Sequence, residues 1–170
     1  MNIKNFYWQD IEMANTCPSQ HKNRSFWFMR DVITFIVTGE ETQGVYSMIE
    51  ITVPPQHGIP VHIHHREDEG FYVLEGDFSY KYGSQTITDA KKGSYTYLKK
   101  NIPHNFKNES NVQGRLLSVI TPPGFENFFK ELGVPIDDPS SFSPPPGPPD
   151  LNKFAVVATK YEWEFLSSPS

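Results

Sequence analysis

A single cysteine in 170 residues sets the first limit. Cys17 has no partner for an internal disulfide and cannot build a cysteine-based zinc site. With no histidine and acid pair evident beside it, Cys17 reads as an inert thiol rather than a nucleophile. Long apolar runs are missing as well, so no segment is expected to cross a bilayer. The opening stretch MNIKNFYWQDIEMANTC lacks the apolar core and small-residue cleavage site of a secretory leader, and a cytoplasmic location is expected. Basic residues are outnumbered, 15 Lys and Arg against 20 Asp and Glu, with no long basic run to form a nucleic-acid surface. The length fits about one domain and leaves no room for a separate DNA-reading helix-turn-helix unit.

What the chain does have is aromatic bulk, 14% Phe, Trp and Tyr, which buries much area per residue. From Arg24 to Thr121 it reads as short β-rich runs broken by turn signals at Gly39, Gly44, Pro54-Pro55, Glu75-Gly76, Gly83-Ser84 and Lys92-Gly93. Strands at such regular spacing predict an all-β sandwich or barrel. After Thr121 the pattern changes. GFENFFKELG places Phe125, Phe128, Phe129 and Leu132 at helical spacing before Gly133. DDPSSFSPPPGPPD reads as an extended strap, and LNKFAVVATKYEWEFL as a further helix on Leu151, Phe154, Val157 and Tyr161. The expected organisation is an extension over 1–23, a β unit over 24–121, and a segment over 122–170 that packs on that unit or on a partner chain.

The chemistry concentrates in HIHHREDEG, residues 62–70. Side chains alternate along a strand, so His62 and His64 share a face while His65 points away. Two imidazoles on one face can chelate an ion, but a site needs more ligands. Among the nearby acids Glu67, Asp68 and Glu69, a turn before the run GFYVLEG would put Glu69 on the inner face with Phe71 and Val73. A buried carboxylate needs a counter-charge, and a cation is a common remedy. KKNIPHNFKN adds His104 beside apolar neighbours. Three imidazoles and one carboxylate suit a first-row divalent ion with open positions, although three histidines alone would also suit zinc. His57 and His65 are expected at the surface, Arg66, Glu67 and Asp68 in a charged turn, and Tyr95 and Tyr97 as packing residues.

These stretches resemble the two cupin motifs. The first is carried by Gly58, His62, His64, Glu69 and Gly76, with a shorter gap than usual from Gly58 to His62. The second is carried by Gly93, His104 and Asn108, and departs from the family at Lys99, where cupins usually have proline, and at Asn101, where they usually have glycine. Both departures are turn positions rather than ligands. The resemblance covers about residues 24–121 and implies an all-β fold, a double-stranded β-helix or jelly-roll barrel with short C-terminal helices. The wider layout looks like small single-domain cupins of the quercetin 2,3-dioxygenase-like type.

That resemblance implies one divalent transition metal ion (Fe, Ni, Co, Mn, Cu or Zn) held by His62, His64, Glu69 and His104. It implies an oxidoreductase, a dioxygenase acting on a small aromatic or enol-bearing molecule. Glu69 would also take the substrate's proton, and Phe71, Val73 and Phe106 would wall the pocket. A homodimer is expected from the same likeness. The alternatives are a cupin that binds metal and ligand without turnover, and a metal-assisted isomerase or hydrolase.

Overall fold

The structure is a computed structural model, and it describes residues 24–137 and 150–166. The expected extension over 1–23 with Cys17, and nearly all of the proline-rich strap, lie outside the described residues. Twelve strands and two helices are described. The strands are β1 (Ser25–Phe28), β2 (Asp31–Val37), β3 (Ser47–Val53), β4 (His62–His64), β5 (Asp68–Glu75), β6 (Phe78–Tyr82), β7 (Gln85–Ala90), β8 (Tyr95–Leu98), β9 (His104–Asn108), β10 (Gly114–Thr121), β11 (Val134–Ile136) and β12 (Trp163–Phe165). The helices are α1 (Glu126–Leu132) and α2 (Leu151–Lys160). No helix among the described residues is long and apolar enough to cross a membrane.

The strands form two open sheets. One has seven strands in the order β11-β1-β2-β3-β10-β5-β8, the other five in the order β12-β4-β9-β6-β7. Neither closes on itself, which corrects the expected jelly-roll barrel to a cupin-like arrangement of two sheets with helices. The physical reason lies at the crossings between sheets. The run from Val53 to His62 carries Pro54, Pro55 and Pro60, which have no N–H to donate, so a continuous ladder cannot follow the chain from β3 into β4.

Period-2 alternation positions the interior. In β3, Ile49, Ile51 and Val53 are buried; in β10, Leu116, Ser118 and Ile120; in β9, His104, Phe106 and Asn108. The alternation that sends Phe106 into the core therefore sends His104 there too. Asn108 stays satisfied at depth, its side-chain amide donating to the carbonyls of Val53, Pro54 and Val112.

Glycines mark two tight points. A Cβ on Gly58 would fall 2.3 Å from the Phe106 carbonyl oxygen, so the 57–59 segment lies against β9 only because no side chain intervenes. Asn101 takes φ 63°, a left-handed conformation that suits glycine and that asparagine also adopts. The motif's departure at that position leaves the turn intact.

After Thr121 the chain lays aromatic rings over one end of the sandwich. Phe125, Phe128 and Phe129, from the turn into α1 and from α1 itself, are buried, and Phe128 stands 5.4 Å from Phe28 of β1 between ring centres. Glu126 is buried and accepts from the backbone N–H groups of Gly39 and Gly124, tying the β2–β3 connection to α1. Asp150 caps α2 by accepting from the N–H groups of Asn152 and Lys153. The chain then adds β12 to the free edge of β4, with Trp163 opposite His64 and Phe165 opposite His62. Tyr95 and Tyr97, expected to pack, are instead 60% and 53% exposed on β8, because their side chains take the outer face of the sheet.

Candidate metal centre

His62 and His64 project inward from β4, Glu69 from the start of β5, and His104 from the start of β9. Each is nearly inaccessible to solvent, and one ligand atom from each lies within 4.8 Å of the others. The pairing of His62 with His104 across β4 and β9 brings two of them side by side. Glu69 arrives from the other sheet, placed by its pairing with Ile120 of β10 and Leu98 of β8.

Hydrogen bonds fix which nitrogens face the centre. His62 Nδ1 lies 2.9 Å from the Pro60 carbonyl, and His104 Nδ1 lies 2.8 Å from the Ile102 carbonyl. A carbonyl can only accept, so both Nδ1 atoms carry hydrogen and both Nε2 atoms offer lone pairs inward. Those outer bonds set the tautomer and ring orientation that metal-binding histidines need. His104 Nε2 is buried without a hydrogen bond and stands 3.4 Å from Glu69 Oε2; His64 Nε2 stands 3.6 Å from the same oxygen. The other Glu69 oxygen accepts from the Ser118 hydroxyl at 3.2 Å. Buried nitrogen lone pairs converging on a carboxylate oxygen, with bonding capacity unspent, are the donor set a divalent cation satisfies.

The electrostatics agree with that donor set. Burial would raise the Glu69 pKa, but the imidazoles of His64, His104 and His62 more than offset it and hold the carboxyl down at about 2. Glu69 is therefore ionised and ready to ligate. Burial, then the neighbouring His64 and His104, push His62 well below the usual imidazole range, keeping its lone pair free.

His62, His64 and Glu69 form part of the wall of a small cavity of about 30 Å³. Phe71 and Phe106 line it as well. Val73 is fully buried in the core but is not among the lining side chains. Three features escaped sequence reasoning. Phe28, Phe125, Phe128 and Trp163 complete an aromatic wall from segments distant in the chain, and only the helical spacing of the phenylalanines hinted at it. Ser118 reads as one polar residue in an apolar strand. Glu67, expected in a charged turn, is buried, with Oε2 3.7 Å from His64 Nδ1 and neither atom hydrogen-bonded. His57, expected at the surface, is partly buried, with Nε2 3.5 Å from Asp31 Oδ1. His65 does point outward, bonding Asn101 through Nδ1 and Glu164 through Nε2.

Comparison with known proteins places this geometry. Residues 49–120 match the cupin domain family. The chain is similar to a quercetin 2,3-dioxygenase of Bacillus subtilis, 26% identical over 102 residues that cover 60% of this chain and 30% of that protein. A quercetin 2,3-dioxygenase of Aspergillus japonicus is 28% identical over 110 residues, 61% of this chain and 31% of the relative. The chain thus spans under a third of the length of either relative. Among solved structures, a predicted oxalate decarboxylase from Thermotoga maritima superposes with a TM-score of 0.54 at 19% identity, over 62% of this chain and 96% of that one, a likeness of fold. The segment that matches the cupin domain family contains all four convergent side chains.

Proposed function

We propose that this chain is a metal-dependent dioxygenase acting on a small aromatic or enol-bearing molecule, with flavonols as the first substrates to try. The observation that carries the reading is the convergence of His62, His64, Glu69 and His104, the first three of them on the wall of a cavity otherwise lined mainly by aromatic and aliphatic side chains. The two relatives named as quercetin 2,3-dioxygenases support the substrate class. In this reading residues 24–121 hold the metal, residues 122–170 pack on that unit or on a partner chain, and Phe125, Phe128, Phe129 and Trp163 cover the site.

A divalent ion held by these four residues would lower the pKa of an enol or phenol hydroxyl brought to it. The chain's own residues do the rest. Phe71, Phe106, Phe125 and Trp163 hold a ring against the cluster and exclude water. Glu69 is ionised, so it can accept the hydroxyl proton, while Ser118 keeps its other oxygen oriented. The second reading is a cupin that binds metal and ligand without turnover.

Oxygen uptake with a flavonol decides between them. Protein loaded in turn with iron, nickel, cobalt, manganese and copper should consume oxygen above a metal-only control with at least one metal. Inertness with every metal and every flavonol, alongside saturable binding of unchanged ligand, would establish the binder. Within the enzyme reading, Glu69→Gln should keep part of the metal, still bind flavonol and lose about 10²–10⁴-fold in turnover. The homodimer implied by the family likeness belongs to this reading too, and sedimentation of the purified chain measures it.

A further inference from the structure

Asp31 opens β2 and is buried, yet its Oδ1 makes no hydrogen bond. His57 Nε2 stands 3.5 Å from it without hydrogen-bond geometry. Burying a carboxyl group that makes no hydrogen bond is costly, and an imidazole at that distance repays only part of the cost. What Asp31 does have is a place on the cavity wall shared with His62, His64 and Glu69.

The topology sets it apart from the metal ligands. His57 is held by its carbonyl accepting from the N–H of Asn108, the last residue of β9, whereas His104 is the first. Four residues of strand separate those positions, roughly 13 Å at about 3.3 Å per residue. On the other sheet, β3 and β10 lie between β2, which carries Asp31, and β5, which carries Glu69. The cavity therefore has two polar poles, and Ile33, Ile51, Ile59, Phe71 and Phe106 line the apolar stretch.

We propose that Asp31, with His57 beside it, is a ligand-reading residue that donates a hydrogen bond to a second oxygen on the bound molecule, at the pole away from the metal ligands. This rests on the metal and small-aromatic reading above and narrows it. The ligand is an elongated aromatic molecule with a metal-binding oxygen at one end and a hydrogen-bond acceptor at the other. Burial holds the Asp31 carboxyl protonated up to about pH 8 against the opposing charge of Arg30, so at neutral pH it is a donor. Burial and Arg30 also push the His57 imidazole down, which keeps the pair uncharged.

The test measures dissociation constants under anaerobic conditions, with nickel-loaded protein, for 3-hydroxyflavone and its 4′-methoxy derivative, which differ by one acceptor oxygen. The methoxy compound should bind about 10-fold tighter to the wild type at pH 7, the worth of one buried hydrogen bond. That preference should fade above about pH 8, where Asp31 ionises and loses its proton. Asp31→Leu should bring the two constants together. Asp31→Asn, which keeps a donor of the same shape, should keep the preference and hold it across the pH range, and it guards against a misfolded leucine variant. Normal binding of 3-hydroxyflavone with no methoxy preference, or a preference that survives Asp31→Leu, overturns the inference and leaves the proposed function standing. Failure of 3-hydroxyflavone itself to bind overturns that reading and this inference with it.

Discussion

At the scale of single residues, the cluster makes sharp predictions. His62→Ala or His104→Ala should strip the metal, with retention falling roughly 10–100-fold or more, whereas His65→Ala should leave it in place. Metal content after gel filtration reads this directly, and full occupancy in either of the first two variants would remove that residue from the ligand set. Glu67 extends the argument one step outward. Two of the three histidines are oriented by backbone carbonyls, and the third, His64, has Glu67 Oε2 3.7 Å from its Nδ1. Glu67→Gln should weaken metal binding by about 10-fold or more, and a chelator competition in which it matches wild type would show that Glu67 has no hold on His64. Asp31 carries a pH signature. It stays protonated to about 8 when folded but ionises near 3.8 when exposed. The folded state therefore binds the extra proton between those values. The stability this lends is fully present below about pH 4 and is lost as pH climbs towards 8. Urea unfolding should show Asp31→Asn gaining on wild type between pH 5 and pH 7.5, by about 3 kcal/mol at most. A constant difference across that range would contradict the raised pKa. The convergence of His62, His64, Glu69 and His104 was legible in sequence because period-2 alternation and a two-residue spacing survive without knowledge of the fold. Asp31, Glu67 and Ser118 were not, because a polar residue at a strand end or within an apolar strand looks alike whether it turns inward or outward.

At the scale of elements, β12 and α2 matter most. Trp163 is buried, with ring centres 5.2 Å from His62 and 5.0 Å from Phe128, so it packs a histidine of the cluster against α1. Trp163→Ala should cost about 3–5 kcal/mol and loosen metal retention together. A chain ending at residue 149 should do worse, since it bares the β4 edge and the rings of the cavity wall. If that chain proved as soluble and as stable as the whole, β12 would be dispensable. The helical patterns over Phe125–Leu132 and from Leu151 were readable because 3.6-residue periodicity is local. The pairing of β12 with β4 was not, since three residues of strand carry no mark of the edge they will join. Nor could turn spacing distinguish a closed barrel from two open sheets, because closure depends on which edges meet.

For the whole molecule, a metal that binds the folded chain alone should raise the unfolding temperature. At a free metal concentration 100 times the dissociation constant the gain is about 2.7 kcal/mol. For a chain of this size that is about 5–10 °C between chelated and loaded protein by calorimetry. Identical melting curves in both states would argue that no ion binds at the cluster. The edge pairing at β4 also has a consequence for how the protein is made. His64 leaves the ribosome about a hundred residues before Trp163, its partner across the strand pair, an interval of about 5–20 s at ordinary elongation rates. Through that interval β4 is a nascent edge carrying two histidines, open to stray metal ions and to other nascent chains. Only the synthesis of β12 shuts it.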